Sequence, residues 1–183
     1  MIKNGILLAV DSIKATELPG QGSWKEIGLI CAKELPESFR ADHIHVLPLQ
    51  ECQVTAFELL ISAFGFTDAS ETLIFKTVIG EVLCKKEHLN HIVEKRQNAR
   101  ERFAAHAKYT ITDPFEVWIA DYSDGSKRYK FIGTFAEKNQ IVVIVAKFEE
   151  QLLWNYMNME AKKLNKFRAG TLLYQRPEKQ KGP

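Results

Sequence analysis

The sequence predicts an α+β fold: helices packed on an antiparallel sheet of four or slightly more strands, with an α/β extension at the N-terminus. Strand-like segments with turn signals between them fill the second half, and segments with helical periodicity precede them. With 183 residues, 45% of them hydrophobic, the chain can bury a core. We predict an extension over residues 1–70, a main domain over 71–176 and a disordered tail over 177–183.

Two strands and two helices are predicted before residue 70. The first strand is GILLAV, and the first helix is WKEIGLICAKEL, whose apolar residues recur at helical spacing before Pro36. The second strand is HIHVLPL, which alternates apolar and polar residues. The second helix is TAFELLISAFGF, which Gly65 is expected to end.

A strand, TLIFKTVIG, and then one long helix over residues 88–106 are predicted next, before Pro114 ends the helical region. At 100° per residue, one side of this helix is apolar and the other is a stripe of histidines and cations. Arg96 and Arg100 fall within the apolar sector, where they could lie at its edge or reach a carboxylate such as Glu116. The stripe consists of His88, His91, Lys95, Asn98, Arg102 and His106.

The sheet is predicted from four segments and a turn in the second half. FEVWIADY and KRYKFIGTF form a hairpin through SDGS, in which Asp124-Gly125 suits the positive φ angles of a tight turn. IVVIVA is predicted as a central strand with LLWNYM beside it. A short helix ended by Gly170 and a last strand, TLLYQ, complete the domain.

Charge is distributed unevenly along the chain. Residues 1–70 carry five basic and nine acidic side chains, whereas residues 85–108 carry seven and three and residues 160–183 carry seven and two. This pattern points to an anionic partner for the C-terminal half. Charged faces that simply contact water are the alternative.

The three cysteines and the apolar runs indicate the compartment. Cys31, Cys52 and Cys84 are odd in number and lack CxxC spacing, so we predict reduced, buried thiols in a cytosolic protein. No apolar run approaches the roughly 20 residues of a membrane span. The first residues lack the pattern of a signal peptide. A cytoplasmic protein without a membrane partner is predicted.

The stripe on the predicted helix could cleave RNA without a metal ion. That reaction needs a base for the 2′-hydroxyl proton and an acid for the departing 5′ oxygen, and histidine suits both roles. Nearby cations would stabilise the charge of the transition state. His91 and Lys95, one helical turn apart, have this form. A solvated basic helix face explains the same spacing.

The predicted sheet offers a second candidate site. Arg128, Lys130 and Thr134 share one face, and Trp118 and Tyr129 could stack on bases of single-stranded RNA. Alternatively, the aromatic residues are core and the cations face water.

The junction between the last helix and the last strand is the third candidate. Asn165, Arg168 and Thr171 could bind phosphate there, or the cations could only complement the helix C-terminus. A metal site is not predicted, because His88 and His91 lack a third ligand at convincing spacing. No glycine-rich phosphate loop is present, and no cofactor is predicted.

Five segments in this order over residues 72–175 resemble the phage-associated barnase–EndoU–colicin–RelE-like nuclease family. They are HIVEKRQNARERFA, DPFEVW, KRYKFIGTF, LLWNYM and LNKFRAGTLLY. The resemblance implies helices on a four-stranded antiparallel sheet and a metal-independent endoribonuclease acting as a toxin or in phage–host conflict. Its site residues fall on His91, Lys95, Arg96, Glu116, Arg128, Tyr129, Asn155, Asn165 and Arg168.

We therefore predict an endoribonuclease that leaves a 2′,3′-cyclic phosphate. The catalytic residues would be His91, Lys95, Arg128 and Arg168, and the RNA-binding residues Arg96, Arg102, Tyr129, Asn155, Asn165 and Thr171. The predicted partners are RNA, including tRNA, an immunity or antitoxin protein, and a phage head protein. The alternative is a non-catalytic RNA-binding module or a phage structural and interaction module.

Overall fold

The computed structural model describes residues 15–147 and 150–178, which leaves the predicted strand GILLAV and most of the predicted tail outside the described residues. Seven strands of the described chain form one strongly curled sheet with the order β1-β2-β6-β5-β4-β3-β7. The α+β class is confirmed. The strands are β1 Thr72–Thr77, β2 Gly80–Lys85, β3 Glu116–Asp121, β4 Lys127–Gly133, β5 Asn139–Lys147, β6 Gln151–Glu160 and β7 Thr171–Gln175.

The sheet is larger than predicted and it is mixed. A hairpin of β1 and β2 was missed, because Gly80 starts β2 instead of preceding a helix. β2 meets β6 in parallel at the single pair Leu83 and Leu152. Within the described residues, the rest of β6 therefore has no strand partner on that side. We call this unpaired side the open edge of β6.

The described helices are α1 Gln53–Phe64, α2 Asn90–Glu94, α3 Ala104–Thr112 and α4 Ala161–Leu164. The core helix before Gly65 is confirmed, since this glycine ends α1 at φ 99° and its amide donates to the carbonyl oxygens of Ile61 and Ser62. Gly170 has φ 103° and lies where a β-carbon would be 2.2 Å from the carbonyl oxygen of Ile119. Only glycine allows β7 to approach β3 so closely there.

Two predictions before residue 50 are wrong. Residues 24–35 form turns and a short 3₁₀ helix, Ala32–Glu34, because Gly28 takes a left-handed φ of 73°. The apolar side chains Trp24, Leu29 and Ala32 pack on the sheet instead. The HIHVLPL segment has no regular secondary structure and is not a strand of the sheet.

The prediction of one long helix over residues 88–106 is also wrong. α2 ends at Glu94, and two 3₁₀ turns, Arg96–Asn98 and Arg100–Phe103, separate it from α3. The break is sharpest at Ala99, whose φ of 42° and ψ of 46° are left-handed. The histidines and cations therefore do not share one helical face. His106, for instance, is fully buried.

Both faces of the sheet are covered in their central parts. On the first face, α1, α2 and α3 contribute Leu60, Ile92 and Ile111 to a core with strand residues such as Phe131 and Val143. On the second face, the segment from Trp24 to Phe39 and the α4 residue Leu164 cover Trp118, Ile132 and Val142. Because the centre of each face is closed, the accessible parts of the sheet lie at its margins: the edge strands β1 and β7 and the open edge of β6.

Two predictions can be compared with the structure: that the three thiols are buried and that no segment spans a membrane. Cys84 is buried and Cys31 is partly buried, but Cys52 is exposed just before α1, so the prediction of three buried thiols is wrong for Cys52. Among the described residues, no helix has the length and apolar character needed to cross a membrane.

His106 on α3 is the buried histidine of the first core. Its ring lies 5.7 Å from that of Phe103 and 4.9 Å from that of Phe135, between centroids. Neither ring nitrogen has a hydrogen-bond partner among the described residues. Burial lowers the pKa of His106 below its ordinary value of 6.5; the Glu137 carboxylate opposes this shift and His43 adds to it.

Stability is expected to fall in mild acid because of His106. The unfolded chain binds a proton near pH 6.5, and the folded chain binds it only at lower pH. The contribution of the neutral ring is therefore complete above the unfolded pKa and is lost as pH falls through the folded pKa. His106→Gln should flatten this dependence in urea unfolding followed by circular dichroism, and His45→Gln, at an exposed histidine, should not. Equal slopes in His106→Gln and wild type would contradict the assignment.

Candidate functional site

Glu116 and Arg168, two of the predicted site residues, form a buried ion pair on the second face of the sheet. The Arg168 Nε donates to Glu116 Oε2 at 2.7 Å, and its Nη2 donates to Oε1 at 2.6 Å. Both side chains are 0% exposed. The indole nitrogen of Trp118 also donates to Glu116, at 2.8 Å. The guanidinium predicted to bind phosphate is thus enclosed and fully occupied by protein groups.

Asn165 connects this ion pair to the segment that covers the second face. Its side-chain oxygen accepts hydrogen bonds from Arg168 Nη1 and from the Ala32 amide, both at 3.0 Å. Its side-chain nitrogen donates to the Cys31 sulfur at 3.1 Å, and Arg168 Nη1 also donates to the Ile30 carbonyl at 2.8 Å. These contacts hold residues 30–32 against the sheet, which is a structural role.

Four further predicted residues are distributed over distant parts of the fold. Arg128 lies beside the β3–β4 hairpin, with its guanidinium carbon 4.2 Å from the Tyr122 ring centroid and an ion pair to Asp124 at 3.2 Å. Arg102 donates to the Leu47 carbonyl at 3.0 Å. Tyr129 is buried in the first core, and Thr171 is exposed on β7, which three strands separate from β6. Of these four, Arg102 belongs to the same 3₁₀ turn as Arg100, whereas Arg128 and Tyr129 lie on β4 and Thr171 lies on β7.

The predicted sheet surface is closed as well. Trp118 is 1% exposed, so its ring offers no face to a base. Lys130 is buried and its Nζ donates to Glu17 at 2.7 Å, while burial lowers its pKa and the Glu17 contact opposes that shift. Thr134 donates to the Phe39 carbonyl at 2.9 Å. The cations and aromatics of this surface serve the fold.

An open, positively charged cleft of about 290 Å³ lies at the open edge of β6. One wall comes from Asn98 and Arg100 of the loop 95–100, which we call the basic loop, and the other from α4 and the 3₁₀ turn Asn165–Phe167. Three cations and no carboxylate line this basic cleft. Its lining residues are Asn98, Arg100, Met157, Asn158, Met159, Lys163, Lys166 and Phe167.

Arg100 is held in place from both its backbone and its side chain. The left-handed turn at Ala99 reverses the chain just before it. Its carbonyl accepts a hydrogen bond from the Tyr156 hydroxyl at 2.9 Å, and its Nη1 donates to Asn155 Oδ1 at 2.8 Å. Burial raises the pKa of Tyr156, which keeps the hydroxyl a donor. One guanidinium nitrogen is thus anchored by Asn155 before any ligand arrives.

The opposite wall and the floor have different characters. Lys163 and Lys166 are exposed, and the Lys166 Nζ lies 4.9 Å from the centroid of the Phe167 ring. Met157 and Met159 on β6 pack partly against the second core and give the floor apolar side chains, beside the polar Asn158. Cations above an apolar floor suit a ligand with both phosphates and flat rings.

Trp154 on β6 precedes Asn155, the residue that anchors Arg100 of the cleft, and His91 contacts Trp154. The pairing of β5 with β6 shifts register between Ile144 and Val145, and Trp154 is the additional residue of that bulge. The His91 ring lies 5.6 Å from the Trp154 ring, and its Nε2 is buried without a hydrogen-bond partner among the described residues. Lys95 is exposed on the basic loop. The cleft lining itself contains none of His91, Lys95 and Asn155. Asn155 is connected to the cleft through its hydrogen bond with Arg100, His91 through its contact with Trp154, and Lys95 by its position on the basic loop. Arg96 belongs to the same loop by position.

The sequence analysis missed three residues that give the cleft its charge: Arg100, Lys163 and Lys166. Arg100 left a signal, because it fell in the apolar sector of a helix that the structure shows to be broken. The two lysines left none, since a short polar helix with lysines is common on protein surfaces.

No group of three or more histidine, cysteine, aspartate or glutamate side chains within residues 15–147 and 150–178 is arranged to hold a metal ion.

Comparison with known proteins identifies one family. A family model described as phage-Barnase-EndoU-ColicinE5/D-RelE like nuclease2 matches residues 60–175. This range contains all seven strands and every residue of the basic cleft. No curated protein and no solved structure matches the chain. The segment that covers the second face, residues 24–39, lies outside the matched range.

Proposed function

Because the chain belongs to the phage-Barnase-EndoU-ColicinE5/D-RelE like nuclease2 family, we propose that it is an endoribonuclease that binds RNA in the basic cleft. The observation that carries this proposal is the cleft lining, in which Arg100, Lys163 and Lys166 converge without a carboxylate. Such a lining attracts the phosphates of a nucleic acid. It also suits a reaction that needs no metal ion, since carboxylates are the usual ligands of magnesium.

The proposed chemistry uses the RNA's own 2′-hydroxyl as the nucleophile. Its oxygen attacks the adjacent phosphorus, the bond to the 5′ oxygen breaks, and the products are a 2′,3′-cyclic phosphate and a 5′-hydroxyl. One proton leaves the 2′ oxygen and one joins the 5′ oxygen. His91 is the proposed proton-transfer group, because an imidazole serves as acid or base near neutral pH.

Arg100 is the proposed main stabiliser of the transition-state charge. Its anchored guanidinium retains further donors for two phosphate oxygens, and Lys95 on the same loop adds positive charge. Lys163 and Lys166 hold the flanking phosphates. This proposal does not include Arg128 and Arg168 among the catalytic residues, because their guanidinium groups already pair with carboxylates.

Purified protein incubated with total RNA and with tRNA in EDTA tests the proposal. We expect defined fragments that end in cyclic phosphate, and we expect His91→Ala to lose at least about 100-fold in rate, the usual size of a lost general acid–base. His45→Ala, at an exposed histidine outside the matched range, should cleave like wild type. Full cleavage by His91→Ala would remove this residue from the mechanism.

Intact RNA under every condition would instead support a non-catalytic role. Salt-dependent RNA binding without cleavage would then identify an RNA-binding module. Binding to a protein and not to RNA would identify an interaction module.

A further inference from the structure

Trp154 is a large aromatic residue that the fold leaves partly open. Its side chain is 38% exposed at the β6 bulge, whereas Trp118 on β3 is 1% exposed and uses its indole nitrogen inside the core. Two imidazoles flank it: the centroid of His88 lies 6.0 Å away at an interplanar angle of 42°, and that of His91 lies 5.6 Å away at 36°. Both rings are tilted against the indole, and more than a third of Trp154 stays exposed.

We propose that Trp154, bordered by His88 and His91, is a stacking subsite for one unpaired nucleobase of the RNA. This inference rests on the proposed function and adds a substrate requirement to it: the nucleotide at the cleft must be single-stranded. Stacking on an aromatic side chain is how single-stranded nucleic acid is commonly held, because every base has a π face.

The position of Trp154 next to Asn155 connects the base subsite to the phosphate site. Asn155 is the residue that anchors Arg100, at 2.8 Å, and the α-carbons of neighbouring residues are about 3.8 Å apart. In the proposed arrangement, a base on Trp154 and a phosphate on Arg100 belong to the same nucleotide or to adjacent ones. His91 touches the same indole, so the proton-transfer group lies beside that nucleotide.

A duplex does not meet these requirements. Its bases are stacked on one another and its major groove is too deep and narrow for side chains to read. Only the phosphates of a duplex can reach Arg100, Lys163 and Lys166. The subsite therefore predicts that single-stranded RNA gains affinity from Trp154, and that duplex RNA does not.

A fluorescently labelled oligoribonucleotide with 2′-O-methyl groups throughout tests the subsite, because it lacks the nucleophile and stays intact. Anisotropy titrations would compare the single strand with the same strand in a duplex. Trp154→Leu is expected to weaken binding of the single strand roughly tenfold or more, the usual contribution of one stacked base, and to leave duplex binding unchanged. Trp154→Phe should retain most of the affinity, because its ring still stacks.

Tyr122→Leu is the matched control, an aromatic-to-leucine change at the β3–β4 hairpin, and should bind both probes like wild type. Circular dichroism would verify that each variant is folded. Wild-type affinity for the single strand in a folded Trp154→Leu variant would overturn the subsite. So would an equal loss with the single strand and the duplex.

Cleavage of unmodified RNA separates this proposal from the one on which it rests. If wild type cleaves RNA and Trp154→Leu binds and cleaves equally well, the stacking subsite fails and the endoribonuclease stands. If wild type cleaves nothing but binds the single strand through Trp154, the enzymatic proposal fails and the subsite stands. Failure of wild type to bind either probe, together with failure to cleave unmodified RNA, would overturn both.

Discussion

Replacing Arg168 by methionine is expected to lower the free energy of unfolding by about 3–5 kcal/mol, the usual cost of removing one partner of a buried ion pair. The Glu116 carboxylate would remain 0% exposed without its cation. The Ile30 carbonyl and Asn165 would each lose a donor as well. Urea unfolding followed by circular dichroism at neutral pH measures the change.

Two further variants show whether the loss comes from the unpaired charge. The double variant Glu116→Met/Arg168→Met should recover part of the stability, since no charge is left buried, although the Trp118 indole nitrogen then lacks its acceptor. Lys127→Met breaks an exposed ion pair with Asp121 and should cost less than about 1 kcal/mol. An Arg168→Met variant as stable as wild type would mean that the buried pair does not stabilise the fold.

The Glu116–Arg168 ion pair shows that a segment carrying the family resemblance can contain residues with a structural role. Glu116 and Arg168 belong to the sequence segments that carry the family resemblance, yet their side chains fasten the covering segment at Ile30 to the second face. A sequence pattern shows that a charged residue occupies a position, but it does not show whether that residue binds RNA or another side chain. Burial decides between these alternatives, and only the tertiary fold shows burial.

The strands of the second half could be predicted because their signals are local. Alternation and the turn at Gly125, with its φ of 77°, specify β3 and β4, and the apolar run of β5 specifies a central strand. The break at Ala99 could not be predicted in this way, because alanine favours helix and rarely takes a positive φ. Contacts of the next residue, Arg100, with Asn155 and Tyr156 hold the chain in that conformation.

The candidate site was only partly predictable for the same reason. His91 and Asn155 carried a signal through the family segments, whereas the basic cleft depends on how far β2 extends along β6. Since these two strands pair at only Leu83 and Leu152, the loop with Arg100 can reach the open edge of β6. The short pairing between β2 and β6 involves residues far apart in the sequence, so no local sequence pattern predicts it.

Arg100→Ala is expected to lower kcat/KM for RNA cleavage by about 100- to 1,000-fold, the usual effect of removing one preorganised donor to the transition state. Arg100→Lys should recover only part of the activity, because an ammonium group cannot bind Asn155 and two phosphate oxygens with a planar fork. Initial rates on a short single-stranded RNA in EDTA measure both variants.

Lys138→Ala provides the control, because Lys138 is a strongly exposed cation paired with Glu160 outside the basic cleft, and it should cleave at the wild-type rate. Since Arg100 also accepts the Tyr156 hydrogen bond through its backbone, which the substitution keeps, the loop should stay folded. Full activity in Arg100→Ala combined with a large loss in Arg128→Ala would place the chemistry at the β3–β4 hairpin, because Arg128 is the cation beside the Tyr122 ring there.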